Sequence, residues 1–155
     1  MAIQIKEATA SQMDDARQLF REYEKWLGLS LCFQNFEEEV STLPGKYQPP
    51  DGRLLLAFSD EQLAGCVALR RIDPDRGEMK RLFLRPDFRG HGIGSSMVER
   101  IIREAREIGY KQLCLDTIPA RMDQAISLYQ AAGFQQIAPY CETPYEDNIF
   151  MELLL

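Results

Sequence analysis

Apolar residues recur every three or four positions in two long segments of the chain, 13–27 and 93–108. This spacing places the apolar side chains on one face of an α-helix, so both segments are predicted to be amphipathic helices packed against a core. Ser11 and Asp14 match a capping box before the first helix. Gly109 follows the second helix, at the position where glycine commonly ends one.

Shorter apolar runs between turn residues predict strands. In chain order the predicted strands are residues 3–6, 53–59, 62–72, 78–84, 112–116, 134–137 and 149–153. Two further helices are predicted at 35–42 and 123–132. The strands from 53 to 84 are joined by short turns and are therefore antiparallel, whereas a strand–helix–strand crossover makes 112–116 parallel to its partner. The predicted fold class is α/β, a mixed and mostly antiparallel sheet with helices on both faces.

Length and composition limit the classes of protein that remain. A chain of 155 residues fits one domain, which we expect to span residues 1–155. Its 24 acidic and 18 basic residues give a net charge of −6, which argues against nucleic acid as a partner. No apolar run could span a bilayer, and the first residues lack a signal pattern, so no membrane partner is expected. Four separated cysteines lack zinc-type spacing, which favours a cytoplasmic protein with reduced thiols and no metal.

The most informative segment is Arg89-Gly90-His91-Gly92-Ile93-Gly94, between a predicted strand and a predicted helix. Glycines let a ligand approach the backbone closely, and the free N–H groups of a helix start bind anions, so this loop is predicted to hold a phosphate. A P-loop would need a lysine before Ser95, and a dinucleotide loop would need one more residue between the glycines. The pattern R-x-x-G-x-G fits Arg89, Gly92 and Gly94 without adjustment.

That pattern resembles the acyl-CoA pyrophosphate loop of the GCN5-related N-acetyltransferases, the GNAT family. Residues 78–99 resemble the strand–loop–helix core of the family, and residues 125–134 resemble its helix with a Leu-Tyr pair that ends at Gly-Phe. The similarity covers most of the chain. One position departs from it, because Met122 stands where many relatives carry an asparagine.

The resemblance implies transfer of an acetyl group from acetyl-CoA directly to a primary amine, which we expect to be that of a small molecule. A non-catalytic acyl-CoA sensor and a protein N-acetyltransferase remain as alternatives, and a homodimer is left open. In the family, the strands that match 78–84 and 112–116 splay apart, and the pantetheine arm lies in the gap. The implied cofactor-binding residues are Leu82, Phe83, Leu84, Arg89, Gly90, His91, Gly92, Ile93, Gly94 and Ser95.

Two residues are candidates for the chemistry. Tyr129 matches the family tyrosine that points at the cofactor sulfur, so the resemblance implies a general acid; the alternative is a core aromatic residue. Glu78 matches a position where relatives often carry a base, and the alternative is a solvated carboxylate paired with a neighbouring cation. Three further tyrosines are interpreted as acceptor-pocket residues or as surface aromatics: Tyr47, Tyr140 and Tyr145.

Basic residues cluster around the glycine loop in the sequence. They are Lys80, Arg81, Arg85 and Arg89. We interpret them as contacts for an anionic cofactor or, alternatively, as a solvated basic surface. His91 is the only histidine, and its place within the loop favours a backbone role over direct chemistry.

Overall fold

Seven strands form one mixed sheet in the computed structural model, which describes residues 2–28 and 35–155, without the side chains at 120 and 121. Cys32, one of the four cysteines in the sequence, lies outside these residues. The strands are β1 (Ile3–Glu7), β2 (Arg53–Ser59), β3 (Gln62–Arg71), β4 (Arg76–Leu84), β5 (Gln112–Thr117), β6 (Gln135–Ile137) and β7 (Ile149–Leu154). Their order across the sheet is β1-β2-β3-β4-β5-β7-β6. Single-domain organisation over residues 1–155 stays a prediction.

The strand pairing confirms the predicted fold class. In the described part of the chain, β4 and β5 are parallel, and the other neighbouring strands are antiparallel. The crossover between β4 and β5 passes through a helix, as parallel neighbours require. Within the described sheet, strand direction therefore alternates everywhere except at this pair, next to the glycine-rich loop.

In residues 2–28 and 35–155, four α-helices cover the two faces of the sheet. They are α1 (Met13–Leu27), α2 (Phe36–Ser41), α3 (Ile93–Ile108) and α4 (Pro119–Ala132). The apolar faces of α1 and α2 pack on one side, and those of α3 and the C-terminal half of α4 pack on the other. Left-handed glycines end three of the helices, at Gly28, Gly109 and Gly133.

The predicted capping residues of α1 and the predicted start of α4 need correction, whereas α1 begins at Met13 as predicted. The N–H of Thr9 donates to Oε1 of Gln12 at 3.0 Å, so the capping residues belong to a 3-10 turn ahead of α1 and are not Ser11 and Asp14. Helix α4 begins at Pro119, a residue that suits a first helical position. Met122 then interrupts α4 with φ −137° and ψ 36°. The predicted start at 123 therefore marks the second of two helical segments.

Strands β4 and β5 pair over a short distance and then separate. Their parallel register covers Arg76 to Glu78 on β4 and Gln112 to Cys114 on β5. From there to Leu84, β4 remains paired with β3 alone. The expected splay between these strands is therefore present, and Glu78 lies where it opens.

A bulge in β4 accompanies the separation. Between the pairs Cys66–Phe83 and Ala68–Lys80, β3 has one residue and β4 has two, and Arg81 adopts φ +60°. Such a bulge bends the strand and redirects its side chains. The Arg81 guanidinium is thereby turned into the core, where it forms two hydrogen bonds with the Glu39 carboxylate at 2.8 and 3.0 Å. This pair joins α2 to the bent strand.

Candidate active site

Two adjacent spaces lie beside the splayed strands. The larger, which we call the loop cavity, has a volume of about 430 Å³ and extends from the glycine loop along the end of β4 to α4. The smaller, which we call the strand gap, has a volume of about 40 Å³ and lies where β4 and β5 diverge. Leu82 and Met122 line both spaces, so the two are neighbours.

The start of α3 forms one end of the loop cavity. Its first intrahelical bond runs from the N–H of Ser96 to the carbonyl of Gly92 at 3.1 Å, so the three preceding helical N–H groups have no acceptor within the helix. Gly90 and Gly92 adopt φ +82° and +81°, and a Cβ at either position would enter open space. These N–H groups and the helix dipole suit an anion next to the loop.

Arg89 lines the wall of the loop cavity. Its Nε donates to the Leu84 carbonyl at 2.9 Å, and its guanidinium lies 4.8 Å from the Trp26 ring centroid and 6.0 Å from that of Phe83. The hydrogen bond holds the arginine against the end of β4, and the two aromatic rings interact with its guanidinium group. A positive charge is thereby fixed beside the anion-binding helix start.

The fold brings all the predicted cofactor-binding residues except His91 to the loop cavity. Those that line the loop cavity are Leu82, Phe83, Leu84, Arg89, Gly90, Gly92, Ile93, Gly94 and Ser95. His91 is exposed and does not line the cavity, so any contribution it makes is through the loop backbone. Their role in binding stays a prediction.

The basic cluster expected around the loop is not formed as expected. Arg81 is buried against Glu39, and Arg85 donates to both carboxylate oxygens of Glu22 at 2.9 Å. Lys80 lines the strand gap instead of the loop. Successive side chains of a strand point to opposite faces, and the bulge at Arg81 redirects them further. Of the four basic residues, Arg89 alone therefore lines the loop cavity.

Tyr129 lines the strand gap, although sequence alone left open whether it belongs to the core. Its side chain is 3 % exposed, and its ring packs on Phe134 with 5.8 Å between the centroids. Burial raises the pKa of the Tyr129 hydroxyl, and the negative charge of Asp116 adds to this effect. The hydroxyl therefore keeps its proton over the whole physiological pH range.

Glu78 is held by donors on both carboxylate oxygens. Arg70 donates to Oε1 at 2.7 Å, Lys80 lies 3.8 Å from the same oxygen, and the Tyr140 hydroxyl donates to Oε2. Burial alone would raise the pKa of Glu78, but the charges of Lys80 and Arg70 and the two hydrogen bonds outweigh it. The pKa of Glu78 therefore lies below its ordinary value, and the group is ionised at neutral pH.

The three other candidate tyrosines have separate surroundings. Tyr47 is fully buried, with its ring edge-on to Phe20 at 6.1 Å, so it is not a surface aromatic, and it does not line the strand gap. Tyr140 covers Glu78, and Tyr145 lines the strand gap. One wall of the gap is therefore formed in part by the segment between β6 and β7.

Sequence reasoning missed two polar residues of the gap. Nδ2 of Asn148 donates to Oδ2 of Asp116 at 3.1 Å and to Oγ1 of Thr143 at 3.0 Å. Asp116 also lies 3.9 Å from the Lys80 ammonium. Asp116 ends a strand and Asn148 precedes another, and no local pattern indicates that they meet.

A glycine-rich helix start beside a diverging pair of parallel strands defines an α/β acyltransferase fold. The chain belongs to the acetyltransferase (GNAT) family, whose sequence profile matches residues 13–134. It is 36 % identical over 143 residues to an uncharacterised N-acetyltransferase of Schizosaccharomyces pombe, covering 91 % of this chain and 87 % of the relative. It is 36 % identical over 152 residues to the IAA acetyltransferase of Azospirillum brasilense, covering 94 % of each.

Solved structures agree with this assignment. The PaiA N-acetyltransferase of Thermoplasma acidophilum, crystallised with coenzyme A, matches with a TM-score of 0.76 at 20 % identity over the whole of both chains. A GNAT acetyltransferase of Staphylococcus aureus matches with a TM-score of 0.82 at 20 % identity, covering 97 % of this chain and 98 % of the other. At these identities the similarity establishes the fold.

Two other kinds of feature are absent from residues 2–28 and 35–155. No helix there has the length and apolar character needed to cross a membrane. The same residues contain no group of three or more histidine, cysteine or acidic side chains arranged to hold a metal ion. The described cysteines Cys66, Cys114 and Cys141 are free thiols, and Cys114 is a buried strand residue opposite Glu78.

Proposed function

We propose that the protein transfers an acetyl group from acetyl-CoA to a primary amine of a small molecule. The observation that carries this proposal is that the loop cavity and the strand gap are adjacent and share Leu82 and Met122 as lining residues. The two spaces bring a helix start that suits an anion and the buried hydroxyl of Tyr129 to the same region of the fold. Acyl transfer from a CoA thioester requires both features, one to bind the phosphates and one to protonate the leaving sulfur.

The residues of the loop cavity suit coenzyme A. The free N–H groups at the start of α3 and the guanidinium of Arg89 suit a pyrophosphate, and the open space above Gly90 and Gly92 leaves room for it. The side of β4 that has left β5 offers backbone groups to the amides of the pantetheine arm. The crystallised complex of the Thermoplasma relative with coenzyme A supports the same class of ligand here.

Bound acetyl-CoA would supply an activated acetyl thioester, and Tyr129 and Glu78 are proposed to move the protons. As the new N–C bond forms and the C–S bond breaks, Tyr129 donates its proton to the departing sulfur. Glu78, which is ionised at neutral pH, takes the proton that the amine loses, directly or through water. No covalent enzyme intermediate is required.

The narrow gap favours a small acceptor. With a volume of about 40 Å³ it has room for an amino group and a few neighbouring atoms, so the rest of a larger acceptor would lie towards the segment between β6 and β7. We also propose a cytoplasmic location, because acetyl-CoA and reduced thiols are expected there. A homodimer stays open.

A thiol-release assay tests the proposed function. Purified protein is mixed with acetyl-CoA and a panel of primary amines, free thiol is measured, and mass spectrometry identifies the acetylated amine. We expect release that depends on both the amine and the protein. Reactions without amine and reactions with Tyr129→Phe provide the controls.

Each alternative gives a different result in that assay. Tight binding of acetyl-CoA with no release for any amine would indicate a sensor. Release with peptides and not with small amines would indicate a protein N-acetyltransferase. Thermal stabilisation by NAD and not by acetyl-CoA would show that the proposed donor is wrong.

A further inference from the structure

We propose that Oδ1 of Asn148 and the carboxylate of Asp116 bind the acceptor amine, and that they select unbranched primary amines. This inference rests on the proposed function, since it names the acceptor site of the same reaction. It assigns a binding role to two residues that no motif indicates. Three features of the site support it: a buried amide oxygen without a hydrogen bond, the small volume of the gap and the charge around it.

The amide oxygen of Asn148 is buried without a hydrogen bond. The residue is 9 % exposed, and Oδ1 finds no donor among the described residues. The orientation of the amide is fixed by chemistry, because the carboxylate of Asp116 can only accept and must therefore face the NH₂ group. A buried acceptor without a donor costs about 1–3 kcal/mol, so this oxygen calls for a ligand or a water molecule.

The strand gap is small. Its volume is about 40 Å³, which is room for only a few water molecules, since roughly 10–15 Å³ of such a cavity holds one. An NH₂ or NH₃⁺ group on a CH₂ carbon fits such a space, and each further substituent on that carbon competes for the little volume that is left. The gap therefore favours amines of the form R–CH₂–NH₂ over branched ones.

The charges around the gap suit a hydrogen-bond donor that carries positive charge. Asp116 supplies a carboxylate, and Lys80 supplies an ammonium 3.9 Å from its Oδ1 and 3.8 Å from Oε1 of Glu78. The guanidinium of Arg81 is paired with Glu39 and does not compete. Glu78 is also paired with Arg70 at 2.7 Å, so Lys80 is the cation that Asp116 shares with an already paired carboxylate. At 3.9 Å it leaves Asp116 capacity for an amine N–H that also binds Asn148.

The position of this site agrees with the chemistry. Tyr129 lines the same gap, so an amine bound by Asn148 lies in the space that the proposed acid also lines. Glu78 lies on the same strand as Lys80, at the point where the gap opens. Binding, deprotonation and protonation of the sulfur are therefore assigned to one small region.

The test measures amine binding apart from catalysis. Calorimetry follows n-butylamine or its isomer sec-butylamine titrated into protein saturated with coenzyme A. For the wild type we expect the unbranched isomer to bind at least about tenfold more tightly, as size exclusion in a tight pocket allows. Asn148→Leu is expected to weaken n-butylamine binding by about tenfold or more, because one buried hydrogen bond to a charged group is lost.

Two further variants distinguish the role of the Asn148 amide oxygen from the roles of Thr143 and Asp116, which accept from its NH₂ group. Thr143→Val removes a neighbour of Nδ2 and leaves Oδ1 in place, so its effect on amine binding should be far smaller. Asp116→Asn keeps an acceptor for Nδ2 and removes the charge, so it should weaken binding of the protonated amine. If Asn148→Leu no longer gains thermal stability from acetyl-CoA, its fold is disturbed, and Asp116→Asn decides the question.

The outcomes distinguish this inference from the proposed function. Equal n-butylamine affinity in wild type, Asn148→Leu and Asp116→Asn would overturn the inference and indicate that the free oxygen binds water only. Equal affinity of the wild type for both isomers would overturn the selectivity. A failure of the proposed function appears elsewhere, as absence of thiol release with every amine in the panel.

Discussion

The hydroxyl of Tyr140 donates a hydrogen bond to Oε2 of Glu78, across 62 residues of sequence. Glu78 ends the parallel pairing of β4 and β5, and Tyr140 lies in the segment that returns to β7. The contact covers an ionised carboxylate at the point where β4 and β5 separate. It also means that the basicity of Glu78 depends on a residue from another part of the chain.

If Glu78 is the base, Glu78→Gln should lower the rate most near neutral pH. The amine is protonated there and needs a proton acceptor, whereas at high pH free amine is abundant and the variant should partly recover. A general base contributes about 10²- to 10⁴-fold, and we expect the low end because the pKa of Glu78 is lowered by Lys80 and Arg70. The measurement is kcat/KM against pH for both proteins.

Tyr140→Phe provides the matched variant for this prediction. It removes one donor to Glu78, so the pKa of that carboxyl should rise and the acid limb of the pH–rate profile should move to higher pH. An identical profile in wild type and Glu78→Gln would leave Glu78 as a structural carboxylate that positions Tyr140 and Arg70.

Tyr129→Phe should lower kcat and leave acetyl-CoA affinity nearly unchanged. The substitution keeps the buried ring and its packing on Phe134 but deletes the hydroxyl. A general acid contributes about 10²- to 10⁴-fold, and the loss should lie at or below the low end because a thiolate is already a fair leaving group. Stopped-flow or steady-state thiol release gives kcat, and calorimetry gives the affinity. Equal kcat in both proteins would assign Tyr129 to packing.

Gly92→Ala should abolish the rise in melting temperature that acetyl-CoA causes. The new Cβ would enter the open space at the start of α3, where the proposed pyrophosphate binds. Gly109→Ala is the matched control, since Gly109 also has a positive φ and open space around it, but it ends α3 at the far side. Both variants should lose about 1–2 kcal/mol of stability from the left-handed backbone.

That pair of variants separates binding from strain. Only Gly92→Ala should lose the ligand effect in a thermal-shift titration with acetyl-CoA. A full shift in Gly92→Ala would place the phosphates away from this loop.

Glu39→Gln should destabilise the fold by about 3 kcal/mol at pH 7, because it leaves the buried Arg81 guanidinium without its countercharge. Burial alone would raise the pKa of Glu39, but Arg81 and Lys46 outweigh it, so the pKa is lowered from the ordinary value of 4.5. The stabilisation is therefore present above pH 4.5 and is lost as the pH falls from there through the folded-state value.

Urea unfolding at several pH values measures this effect. The difference between wild type and Glu39→Gln should shrink below pH 4.5, the ordinary pKa of the group. Glu38→Gln, an exposed neighbour on α2, should change stability by less than about 0.5 kcal/mol. A constant difference down to strongly acid pH would show that the Glu39–Arg81 charge pair does not carry the effect.

The sequence by itself determined the elements and their order. Apolar spacing indicated α1 and α3, alternation and turn residues indicated the strands, and a crossover helix required the parallel pair. The glycine loop was predictable as well, because positive φ, a helix start and an anion site all depend on residues within one short segment. These features follow from local stereochemistry, which the order of residues largely fixes.

Only the tertiary structure decided which side chains meet. Arg81 belongs to the core and not to the loop because a bulge in β4 turns it towards Glu39, 42 residues earlier in the chain. Asp116 meets Asn148 across 32 residues, and neither position has a pattern that indicates it. Contacts of this kind depend on how strands and helices pack, so burial, charge pairing and the unsatisfied oxygen of Asn148 emerge once the sheet is assembled.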